Sequence, residues 1–228
     1  MVVGVLSGKT EKTMNETLNQ KQQALVAVAA CEAKDDQKTL ERILDDAFER
    51  GVLTVNEAKE TLSQLYAYTG FPRSLNALAS LQKVVAERRK ENRSVEVGCD
   101  ASPLPDDYDA LKQGAVVQTR MSGKPFDYAF APAVDYYLKA HLFGDIFARD
   151  VLTYSEREIV TVAALSAIDG VEPQLKAHVA GARRMGLLTD NCVPSRRCLS
   201  KKWGVWRLSV RRKLWRRSLV RCLLKADQ

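Results

Sequence analysis

Two histidines and five cysteines are the side chains of this 228-residue sequence whose own chemistry operates near neutral pH. Imidazole gains and loses protons there, so His141 and His178 are the candidates for general acid–base work. The cysteines are Cys31, Cys99, Cys192, Cys198 and Cys222, and no two stand as Cys-x-x-Cys. Dithiol exchange and a zinc site therefore both lack their usual spacing, and no metal is expected. Scattered free thiols in a reducing compartment fit this pattern better than a disulfide scaffold.

Each candidate has an ordinary structural alternative. His178 falls on an apolar face with Leu175, Val179, Ala182 and Met185, where a histidine can simply pack. Glu158 follows Thr153-x-x-Glu156, a capping-box signature, so a favourable position near a helix N-terminus would also explain it. His141 lies in the tyrosine-rich run DYYLKAH, where it lines a pocket or packs. Tyr66, Tyr68, Phe71 and Arg73 could wall a pocket in which Arg73 attracts a carboxylate, or form a plain helix junction.

The elements that must position these residues are helical. Residues 23–54 align without a gap on residues 158–189 at an offset of 135. Ala29 then meets Ala164, Leu40 meets Leu175, Ala47 meets Ala182, and Gly51 meets Gly186. Two copies of one helix hairpin imply duplication and a pseudo-symmetric fold. Asp169-Gly170 breaks the second hairpin, Pro173 starts its second helix, and Gly186 suits a left-handed cap. In the first copy Thr54-x-x-Glu57 caps a helix with Ala58, Leu62, Leu65 and Tyr66 as its stripe. Gly70 ends it. Pro72 starts another, with Leu75, Leu78, Ala79, Gln82 and Val85 on one side and Glu87–Arg93 as a solvated end. No segment reads as a strand. The expected organisation is an extension at 1–17, a first repeat at 18–93, a linker with a short helix at 94–129, a second repeat at 130–190, and a tail.

That tail carries the charge. Residues 191–228 hold 12 of the 35 Lys and Arg and one acid, Asp227, for a net +11. The remaining 23 bases face 27 acids, so residues 1–190 are at −4 and give no reason to expect a nucleic-acid partner. Trp203, Trp206 and Trp215 also lie in the tail. Two readings stand: a basic aromatic segment for nucleic acid or an anionic membrane surface, or an out-of-frame C-terminus. The abrupt break inside a helical unit favours the second. No apolar run nears the roughly 20 residues that span a bilayer, and no signal peptide opens the chain, so a cytoplasmic protein is expected.

Residues 62–78, LSQLYAYTGFPRSLNAL, and 156–187, EREIVTVAALSAIDGVEPQLKAHVAGARRMGL, resemble the carboxymuconolactone decarboxylase family. The resemblance implies an all-α, alkylhydroperoxidase D-like fold, and for two fused copies a trimer that mimics a hexamer, with sites at subunit junctions. It also implies one of two chemistries. The peroxidase-like branch needs a cysteine pair before its histidine, and counting back from His178 those positions hold Val171 and Gln174. The decarboxylase branch needs no cofactor. It acts on a small-molecule carboxylate or lactone, must stabilise a dienolate, and must deliver a proton to carbon.

His178 as proton donor and Glu158 as its partner fit that branch. They sit on consecutive antiparallel helices, level to within about a turn or two at about 1.5 Å per residue. Arg73, Tyr68 and His141 are the candidate substrate contacts. At the offset of 135 the first copy has Gln23 for Glu158 and Ile43 for His178. The other functions open on this scaffold are a thiol-independent oxidoreductase and a non-catalytic binding module.

Overall fold

A computed structural model describes residues 18–185. The extension at 1–17, the cap at Gly186 and the basic tail lie outside the described residues. The described chain is all-helical, with no strand. It contains α1 (Gln20–Ala33), α2 (Gln37–Glu49), α3 (Val55–Thr69), α4 (Phe71–Lys90), α5 (Ala110–Ser122) and α6 (Pro132–Tyr136). A π-helical segment (Tyr137–Ile146) continues α6, and α7 (Tyr154–Ser166) and α8 (Glu172–Arg184) follow.

The helix starts follow local chemistry. Thr54 and Thr153 each accept from the backbone N–H three residues on, and Glu57 and Glu156 reach back to the cap N–H. Asn19 and Gln22 form a third such box before α1. Lys21 then bridges Glu57 at 2.6 Å and Glu156 at 2.8 Å, tying the starts of α1, α3 and α7 together. Gly70, at φ +85°, separates α3 from α4 in a backbone region costly for other residues.

α1 is the central helix, buried continuously from Ala24 to Ala33 and packed by α2, α3, α4 and α7. Leu25, Leu40, Leu44, Leu62, Leu65 and Val160 are fully enclosed around it. Each such side chain contributes about 1.5–3 kcal/mol through burial. α5 packs on the π-helical segment and α8 at one end. That crossing needs glycine: a Cβ on Gly114 would overlap the Lys139 carbonyl, and one on Gly144 the Ala110 carbonyl.

Two expectations need correction. α4 buries Ser74, Ala77, Leu81, Val84 and Val85, whereas Leu75 is exposed, because the helix packs on α2 and α3 along a face rotated from the one its leucines suggest. Its charged end is also not wholly solvated. Arg88 is buried, donates to Asp45 and Glu49 at 2.8 Å each, and holds the Ser94 carbonyl. Beyond it, residues 94–100 are stitched down. The Glu96 and Val97 carbonyls accept from Val55 and Asn56, supplying partners for the first N–H groups of α3.

α2 and α8 are separated by 135 residues at both ends. The capping boxes of α1 and α7 are separated by 134. The two hairpins thus have nearly the same lengths, with a one-residue shift where their first helices begin and α7 one residue shorter than α1.

Candidate functional site

The structure joins the two residues the sequence put forward. Glu158, in the second turn of α7, is fully buried, and both its oxygens accept from His178 Nδ1 of α8, at 3.1 and 3.2 Å. With Nδ1–H committed to the carboxylate, Nε2 is the ring nitrogen left to exchange a proton. The His178 side chain is 17% exposed, so the imidazole lies between a buried anion and the surface. Burial of a carboxylate is costly unless it is hydrogen-bonded, and His178 Nδ1 supplies that partner.

Two residues shape this pair. Tyr68, near the end of α3, packs its ring edge-on to His178, with centroids 5.4 Å apart at 82°. It packs against all three hydrophobic clusters among the described residues while remaining partly exposed. Its hydroxyl is buried and makes no well-formed hydrogen bond among the described residues, with Thr161 the polar side chain that acts on it. Burial first, and the Glu158 charge second, push the phenol well above its ordinary range, so it remains a proton donor. Gly181 backs the carboxylate: a Cβ there would lie 3.1 Å from Glu158 Oε2.

A buried polar seam between α3 and α7 runs up to the same place. Glu60, Gln64 and Tyr68 occupy one stripe of α3 at spacings of four. Arg157, fully buried, donates to Glu60 at 3.0 Å, Gln64 at 3.0 Å and the Arg149 carbonyl at 2.6 Å. Gln64 in turn donates to the Arg157 carbonyl and to Thr161 Oγ1, both at 2.9 Å. Sequence reasoning missed this seam. The i, i+4 polar spacing on α3, opposite an Arg inside the apolar α7, was the available signal.

His141 is placed elsewhere, on the π-helical segment. Its Nδ1 donates to Asp145 Oδ2 at 2.8 Å, and its Nε2 meets the Tyr66 hydroxyl. Arg73, in the first turn of α4, feels the Glu32 carboxylate of α1. No hydrogen bond, ion pair or ring contact joins Arg73 or His141 to His178 or Glu158. Glu32 is fully buried, accepts from Thr69 Oγ1 at 2.6 Å, and leaves Oε2 unpaired among the described residues. Burial raises its carboxyl to about 7, against the pull of Thr69 and Arg73. Neighbouring Cys31 is likewise pushed up by burial, to about 12, so its thiol is protonated at neutral pH. Among the described residues no three His, Cys, Asp or Glu side chains gather as metal ligands, and no helix is long and apolar enough to cross a membrane.

Gln23 does not occupy the environment of Glu158. It is exposed and donates back to the Leu18 carbonyl at 2.6 Å, whereas Ile43, like His178, is partly buried. No curated protein matches the chain. Residues 132–191, from α6 through α8 and just beyond, carry a carboxymuconolactone decarboxylase family domain.

Proposed function

We propose that the chain is a cofactor-independent carboxy-lyase acting on a 4-carboxymuconolactone-like substrate, with His178 as proton donor. The all-helical architecture agrees with an alkylhydroperoxidase D-like fold. The observation that carries the reading is the shared hydrogen bond from His178 Nδ1 to a fully buried Glu158. In this mechanism the bond from the substrate carbon to its carboxylate breaks, and carbon dioxide departs. The electron pair spreads as a dienolate into the lactone carbonyl. His178, protonated and held by Glu158, delivers the Nε2 proton to carbon and then recovers one from solvent. Glu158 orients the ring and stabilises the imidazolium; generic acid–base catalysis of this kind contributes about 10²–10⁴-fold.

The nearly equal hairpin lengths support an internal duplication, with the second hairpin keeping the chemistry. A trimer of such chains follows from that reading, with Arg73 and His141 reaching substrate from across subunit junctions. A cytoplasmic location is proposed with it. The test is ultraviolet absorbance of 4-carboxymuconolactone with the chain and with His178→Ala. Turnover lost in the variant supports the lyase. Equal turnover removes His178 from the mechanism, and none from the folded chain removes the substrate.

A further inference from the structure

Outside that pair, the structure assembles a second group of three residues, Tyr66, His141 and Asp145. Tyr66 comes from α3, and the other two stand four residues apart on the π-helical segment. Asp145 accepts from Nδ1 of His141, which turns the lone pair of Nε2 toward the Tyr66 hydroxyl in contact with it. A weak nucleophile touching a base, with the base oriented by a carboxylate, is the arrangement that activates hydroxyl groups for attack. Phe71 stacks on Tyr66 at 4.3 Å and 11°, and is itself 61% exposed. It offers an aryl surface beside the phenol oxygen. Tyr66 and Tyr68 are two positions apart on α3, about 200° around the helix, and so diverge toward different partners.

We propose that Tyr66 is an activated nucleophile that accepts aryl-bearing acyl or sulfonyl electrophiles. With an aryl sulfonyl fluoride, Tyr66 Oη attacks sulfur and its proton passes to His141 Nε2. The S–O bond forms, the S–F bond breaks, and fluoride leaves with the electron pair. His141 then returns the proton to solvent. With an activated aryl ester the same oxygen takes the acyl group, and the phenolate leaves.

The chain supplies its own controls. Tyr128, Tyr136 and Tyr137 are exposed by 43, 52 and 61%, and no hydrogen bond engages their hydroxyls among the described residues. Accessibility alone ranks them above the half-buried Tyr66. The full chain is treated with benzenesulfonyl fluoride at limiting time, and modification at each tyrosine is read by peptide mass mapping. Tyr66 is expected to react first. Its rate should fall about 10²-fold in His141→Phe and in Asp145→Asn, toward that of Tyr137. Far-UV circular dichroism checks folding, and Asp145→Asn, at an exposed carboxylate, reports if His141→Phe does not fold. Modification of Tyr66 no faster than Tyr137, or an unchanged Tyr66 rate in a folded variant, overturns the proposal.

Discussion

The hairpin α1–α2 and the hairpin α7–α8 have nearly the same lengths and different chemistry. In the first, α1 is buried among alanines, leucines and valines, and Ile43 of α2 joins that core. In the second, α7 carries Arg157, Glu158 and Thr161 into the interior, and α8 brings His178 to meet them. A polar interior is tolerated there because partners arrive from α3: Glu60 and Gln64 accept from the two terminal nitrogens of Arg157, Gln64 donates to Thr161, and Tyr68 flanks His178, while Arg157 Nε has no partner among the described residues. Side-chain substitution alone therefore does not convert one hairpin into the other. The neighbouring helix must supply the matching polar stripe.

The comparison is broken most severely by removing the cation of the seam. Arg157→Met leaves the Gln64 side-chain oxygen facing an apolar group and leaves Glu60 to Arg149 alone, and is expected to lower stability by about 3 kcal/mol in a urea melt. A loss below about 1 kcal/mol would mean that the seam is not structural. The first hairpin holds its own buried acid, and here the effect is read through pH. The Glu32 carboxyl rises from 4.5 to about 7 on folding, so the folded state prefers it protonated. Its contribution is complete below about pH 4.5 and is lost as pH rises through about 7, a difference on the order of 3 kcal/mol. Glu32→Gln should flatten that part of the stability profile, whereas an unchanged profile would show that Glu32 ionises freely.

Smaller effects sharpen the contrast. Gly181→Ala presses a methyl on Glu158 and is expected to cost about 1 kcal/mol while lowering turnover roughly tenfold. Full activity in this variant would show that the carboxylate position is not critical. Lys21 of α1 links the first hairpin to the capping glutamates of α3 and α7 from a partly exposed position, so Lys21→Met should cost at most about 1 kcal/mol. A larger shift in its melt would make that bridge a principal tie between them.

Much of this was legible in the chain. The capping boxes at Thr54 and Thr153 mark their helices, because a side-chain oxygen three residues before a glutamate satisfies orphan N–H groups locally. Glu158 and His178 meet as antiparallel geometry across a short turn requires. What depended on distant residues was not legible. Arg88 in a charged run gives no sign that Asp45 and Glu49 enclose it. Asp145 gains meaning only once His141 faces Tyr66 across 75 residues. The exposed Gln23 shows the same limit, since a gap-free alignment does not register the one-residue shift in the helix start.

The most direct test makes the second hairpin resemble the first at one position. His178→Ile places the side chain of Ile43 at its counterpart, and decarboxylation of 4-carboxymuconolactone is followed by ultraviolet absorbance beside a thermal melt. The account predicts a folded protein whose turnover falls by about 10²–10⁴-fold. A folded variant that turns over at the rate of the parent chain would contradict it.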